Sequence, residues 1–302
     1  MKKFSLYIII LFVIGCSKEI NPKKIIPVKN GPDAVHISSK KYLYVANVED
    51  EYISVIDIYK EILIKNIKVA KNPWGLIDLN DGRIIVSSFS GVLSIINENT
   101  LEVIKEKSFN QIHLAGITKD HNNQFLYVVA NNINKVLKIN IANLEIEEKY
   151  QVGNSPDGIG ISSNNQYLYV SNTKDGTISI IDIKNKKIEN IKVGGKPEII
   201  HENDKYITIS NFITSEVYVF DSNNKEKILT VKNLDGPEAS VLFDNKLFIV
   251  NYKRNNIKVF NIKGEFLNIE YRTQKNPIDI NIYNNKIYVS NYGDNSISIF
   301  NL

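Results

Sequence analysis

Gly153-Asn154-Ser155-Pro156-Asp157, then Ile159 and Ile161, then Tyr167-Leu168-Tyr169-Val170-Ser171-Asn172, then Thr177-Ile178-Ser179-Ile180-Ile181-Asp182, then Ile188, Ile191 and Val193: this stretch decides the fold. It holds four short apolar or alternating runs parted by Asn, Gly, Asp and Lys clusters, the pattern of strands joined by tight turns. Nothing downstream of the N-terminal leader sustains a 3.6-residue period, so helices are not expected.

The same unit recurs along the chain. The residues closing its second strand are Asn47, Ser88, Asn131, Asn172, Asn211, Asn251 and Asn291, spaced by 41, 43, 41, 39, 40 and 40. A four-stranded unit this small cannot cover both of its faces, and a closed ring solves the problem by packing each sheet between two neighbours. The second strands, such as Tyr42 to Val45 and Tyr167 to Val170, are accordingly apolar on both faces. Residues 24–302 divide into seven units of about 40, which leaves no room for another domain. The predicted fold is an all-β, seven-bladed propeller of four-stranded antiparallel blades.

The last unit ends with its third strand, Ser296 to Leu302, and lacks a fourth. Lys24-Ile25-Ile26-Pro27-Val28 precedes Gly31-Pro32 as Val193 precedes Gly194 to Pro197, so this N-terminal stretch is expected to complete the last blade as its outer strand. Pro27 has no N–H to donate, which suits an outermost position.

The chain opens with Lys2 and Lys3, an apolar run from Phe4 to Ile14, then Gly15 and Cys16. A membrane span needs about 20 apolar residues, so this shorter run reads as a cleaved export signal. Val13-Ile14-Gly15-Cys16 resembles a bacterial lipobox, which predicts a signal peptide over 1–15, lipidation of Cys16 and a tether over 16–23. Two or three acyl chains hold a protein on a membrane almost permanently. Cys16 is the one cysteine, which excludes an internal disulfide and argues against thiol catalysis or thiolate-bound metal. Ser17 after the cysteine points to the outer membrane or cell surface rather than the inner membrane.

Hydrophobic residues are 43% and charged residues 23%, as in ordinary globular proteins. The formal charge of +4 counts Lys2 and Lys3 of the leader, so the processed chain is nearly neutral. Its lysines alternate with acids, and the densest run, Lys184 to Lys196, reads as a guarded strand edge. Nucleic-acid binding is therefore disfavoured.

Gly-x-Pro, an apolar strand, Tyr-Val-x-Asn and an alternating strand ending in Asp together resemble the YVTN-type β-propeller repeat family. Tyr169-Val170-Ser171-Asn172, Tyr288-Val289-Ser290-Asn291 and Tyr44-Val45-Ala46-Asn47 carry the resemblance; the second unit has Ile85-Val86-Ser87-Ser88, and the third lacks Gly-x-Pro. The resemblance implies a secreted or surface-located binding, adhesion or scaffold protein, sometimes distantly related to lactonases and to a haem-binding nitrite reductase domain.

No nucleophile elbow, paired-cysteine motif or phosphate loop occurs, and His201-Glu202 lacks the second His of a zincin. His36, His113, His121 and His201 lie in different units and are taken to share no repeat position, which speaks against a haem or zinc cluster. Asp57, Asp182 and Asp221, with Asn97, Asn140, Asn261 and Asn301 at the same place, are read as turn caps. The second-strand Asn set is read in the same way.

Function is sought where the repeat varies. The residue after the Gly-x-Pro proline is Asp33, Trp74, Ala115, Asp157, Glu198, Glu238 or Ile278, and propeller geometry brings these to one face near the channel entrance. Asp33, Trp74, Asp157, Glu198 and Glu238 are the candidate ligand-binding residues. The leading expectation is a non-enzymatic, membrane-tethered monomer that binds a small molecule or protein partner there. No cofactor is expected apart from a divalent cation on the carboxylates. A lactonase-like or metal-assisted hydrolase and a single-stranded nucleic-acid binder are the alternatives.

Overall fold

In the computed structural model, which describes residues 17–302, the chain is almost entirely strand. Blade 1 shows the plan: Pro32–Ile37, Tyr42–Asn47, Tyr52–Asp57 and Ile62–Lys68 pair in sequence order, antiparallel throughout. Six further sheets repeat it, so the propeller has seven blades. The first strand of each blade packs against the first strand of the next, and Pro277–Tyr283 of blade 7 returns to Pro32–Ile37 of blade 1. Each strand is short because the ring, not strand length, supplies burial.

Seven apolar clusters fill the seven interfaces between blades. The second-strand aromatics Tyr44, Tyr169, Phe248 and Tyr288 are buried in them. Alternation along the outer strands, in contrast, leaves one side to water, as in Lys187–Lys192 with its exposed lysines.

Lys24–Pro27 closes blade 7, pairing antiparallel with Ser296–Asn301 in the register Lys24↔Ile299 to Pro27↔Ser296. Ile26 from this strand is buried with Ile297, Ile299 and Val45, so the closure carries core and not only ladder hydrogen bonds.

Residues 16–23, expected to be a plain tether, are partly structured: Lys18–Ile20 adds to blade 6 as a fifth strand, parallel to Phe266–Arg272. Ile20 joins the cluster between blades 6 and 7, and Arg272 Nε donates to Glu19 Oε2 at 2.8 Å. These two contacts hold a segment too short to show any strand periodicity. The leader and Cys16 lie outside the described residues; among the described residues no helix is long and apolar enough to cross a membrane.

The capping positions act as expected where a hairpin follows. Asp57 Oδ1 accepts the N–H groups of Tyr59 and Lys60, and Asn97, Asp221 and Asn261 do the same in their turns. Second-strand Asn side chains bond within their own blade in blades 4 and 7, where Asn172 Nδ2 donates to Ser179 Oγ at 2.8 Å and Asn291 Nδ2 to Ser298 Oγ at 3.0 Å, whereas Asn131 Nδ2 donates to the Pro156 carbonyl of the next blade at 2.8 Å.

Candidate functional site

Every first strand carries a β-bulge at its start. The register slips between Pro32 and Val35, Pro73 and Gly75, Leu114 and Ile117, Pro156 and Ile159, and likewise in blades 5 to 7. A bulge re-aims the side chain beside it. Here that residue is the one after the proline.

The serine of Tyr-Val-Ser-Asn fixes this bulge. Ser171 Oγ accepts the Gly158 N–H at 2.8 Å and donates to the Glu198 carbonyl of the next blade at 2.6 Å. Ser290 does the same between Asp279 N–H and the Asp33 carbonyl, and Ser87 between Gly75 N–H and the Ala115 carbonyl. The blades approach so closely that a Cβ on Gly158 would lie 2.5 Å from the Glu198 carbonyl oxygen. Removing a buried partner costs about 1–3 kcal/mol. Ser171→Ala is therefore expected to lower stability by about 1–2 kcal/mol, read from the urea midpoint, with Ser171→Thr recovering part of the loss.

The bulges bring Asp33, Trp74, Asp157, Glu198 and Glu238 around one cup of ≈ 550 Å³ at the channel mouth, with Ile278 beside them. Further lining residues that sequence reasoning missed include Lys196, Phe89, Phe212, Tyr252 and Tyr292. The four aromatics each stand one residue after the second-strand Asn or Ser, so reading the repeat one place further would have found them. Trp74 stacks on Phe89 with centroids 5.0 Å apart, and Phe89 on His113 at 4.9 Å; Phe212 meets Tyr252 edge-on at 5.8 Å.

Lys196 is ion-paired with the buried Glu198 and is the one cation lining this cup among the described residues. Burial lowers the Lys196 ammonium pKa, but Glu198 and the other acids outweigh it and leave a net rise. The carboxyls are pushed the other way from normal acids. Burial, then repulsion from Asp157, takes Glu198 up to about 7; burial, then repulsion from Glu198, takes Glu238 up to about 8. Burial and neighbouring acids raise Asp33 well above the usual range, and burial raises Asp157 against the opposing pull of Lys196, Trp74 and Glu198.

Beneath the cup a cavity of ≈ 280 Å³ continues down the channel, lined in part by His36, His201, Glu202 and Asp279. His36 and His201 occupy the same repeat position, four residues after Pro32 and Pro197, which corrects the sequence reading that no two histidines coincide. His201 Nε2 lies 2.7 Å from Asp279 Oδ1, while Asp279 Oδ2 accepts the Val35 N–H. Burial depresses the His201 imidazole, and Asp279 more than offsets it, so the ring is held above its ordinary value. His36 is depressed by burial. Among the described residues no three His, Cys, Asp or Glu side chains converge as a metal cage.

No family model and no curated protein matches this chain. Solved structures do match in fold. A Kuenenia stuttgartiensis hydrazine synthase chain superposes with TM-score 0.80 at 16% identity, covering 91% of this chain and 97% of that one. A catalytically inactive variant of virginiamycin B lyase from Staphylococcus aureus, with quinupristin, gives 0.78 at 18%, covering 92% and 99%. The Cps50 (Swd1) β-propeller domain of Myceliophteria thermophila gives 0.77 at 10%, covering 93% and 99%. These likenesses establish the propeller fold.

Proposed function

We propose that this chain is a lipid-anchored, extracytoplasmic binding protein of the YVTN-type repeat family, and that its cup takes a ligand bearing an organic cation, an amine or guanidinium group. The observation that carries the reading is the convergence of four carboxylates and an aromatic rim on one concave mouth. Aromatic faces attract cations, and carboxylates supply the counter-charge. A bare divalent ion is less well served, because no cage of oxygen ligands converges among the described residues. Single-stranded nucleic acid is served worst, since its phosphates would face four acids and a single lysine.

The test is thermal unfolding of residues 17–302 with polyamines, arginine-rich peptides, quaternary ammonium salts, divalent cations, lactones, saccharides and single-stranded DNA. A ligand at 100 times its Kd stabilises by about 2.7 kcal/mol. An organic cation is expected to raise the melting temperature, and Trp74→Ala to weaken its binding by about tenfold, roughly 1.4 kcal/mol. Affinity should rise from about pH 6 to about pH 9, because a cation binds the ionised forms of Glu198 and Glu238, held near 7 and 8. A shift with lactones or saccharides and none with any cation would overturn the reading.

One observation favours a second reading, hydrolysis in the channel. His201 is oriented by Asp279 at 2.7 Å, the arrangement of a general acid or base held by a carboxylate. Lactone turnover abolished by His201→Asn, with cup binding intact, would establish it.

A further inference from the structure

The N-terminal strand also fixes which way the propeller faces. Its pairing is parallel, Lys18↔Ile269 to Ile20↔Tyr271, so the chain upstream of Lys18 heads toward the Phe266 end of its partner. Phe266 follows the Asn261–Glu265 turn, which lies on the face opposite the cup. The neighbours of Lys18 and Ile20 agree: they share a cavity of ≈ 310 Å³ with Asp244, Lys246, Asn285 and Leu302, from the turns and chain end of that same far face.

Cys16 stands two residues before Lys18. Extended backbone advances about 3.3 Å per residue, so two residues of chain reach no further than about 7 Å from Lys18. Lys18 pairs with Ile269, three residues and so about 10 Å short of Arg272 at the mouth end. A reach of about 7 Å, directed the other way, leaves the anchor point below the mouth rim.

We infer that the propeller sits with the far face of blades 6 and 7 against the lipid bilayer and presents the carboxylate cup away from it. This rests on the proposed lipidation of Cys16. Without the fifth strand, a tether over 16–23 would let the ring tumble; with it, the anchor is clamped to one side.

Because Cys16 is the one native cysteine and its thiol is taken by lipid, an added cysteine is uniquely labelled in the mature full chain. Lys263→Cys marks the far face of blade 6 and Lys253→Cys its mouth face, both at exposed turn positions. Each variant, carrying a fluorophore, is reconstituted into phosphatidylethanolamine–phosphatidylglycerol vesicles containing brominated lipid. Fluorescence is expected to be lost at Lys263→Cys and retained at Lys253→Cys. Equal or reversed quenching in protein that does float with the vesicles overturns the orientation alone. Protein that fails to float, with Cys16→Ser behaving identically, overturns the lipid anchor and the orientation with it.

Discussion

Deleting residues 17–28 is expected to remove most of the stability of the ring, whereas deleting only 17–21 removes little. The longer deletion takes away the closing strand Lys24–Pro27 and with it the buried Ile26, worth about 1.5–3 kcal/mol. It also removes four residues of ladder and the flanking bonds from Lys23 N–H to the Ile299 carbonyl and from Val28 N–H to the Asn295 carbonyl, each about 1 kcal/mol. The total, about 5–8 kcal/mol, approaches the whole net stability of an ordinary domain. The strand left bare, Ser296–Asn301, carries Ile297, Ile299 and Phe300 and becomes an open edge prone to pair with another chain. Urea unfolding and light scattering read both effects. If the two deletions cost the same, the N-terminal strand does not close the ring.

Glu238→Gln is expected to stabilise the protein by about 2–3 kcal/mol at pH 9 and hardly at all at pH 5. The Glu238 carboxyl is held at about 8 in the fold against 4.5 in the free side chain. Its neutral form is therefore the one the native state favours, and between these two values the native state binds more protons than the unfolded chain. Stability falls wherever that is so. The loss begins as pH rises through 4.5, where the unfolded chain ionises, and is complete above about 8, where the native carboxyl ionises too. Full accounting of that gap gives about 4.8 kcal/mol, reduced here because the half-buried group faces an open, hydrated mouth. Gln is neutral at every pH and escapes the loss. Equal effects of the substitution at both pH values would show that neither burial nor the neighbouring acids hold the Glu238 carboxyl up.

The sequence exposes what geometry demands seven times over. Asp57 and Asn97 differ in charge and share a place in the repeat, which marks them as caps from the sequence alone, and their hydrogen bonds agree. The mouth residues Asp33, Trp74, Asp157, Glu198 and Glu238 are legible for the opposite reason, as variation at one fixed position. Phe89, Phe212, Tyr252 and Tyr292 follow the same logic one place after the second-strand Asn or Ser, and a repeat motif that ends at that residue passes them by. His36 and His201 look solitary in the chain and coincide only when each is counted from its proline. Lys18–Ile20 could not be read at all: three residues carry no period, and their pairing depends on an edge that only the assembled blade 6 provides.

The serine clamps hold the main chain and ignore the side chain. Ser171 grips the carbonyl of Glu198, and Ser290 that of Asp33, through atoms that every amino acid possesses. What stands at those places is therefore not dictated by the clamp, and the frame is held in the clusters between blades. The rim of the channel behaves like a keyboard on a rigid frame: one key per blade, each exchangeable without moving the frame, while the acidic keys retune one another's charge. A propeller built in this way can change its ligand by point substitution at the mouth, so kinship in fold and difference in binding are natural companions.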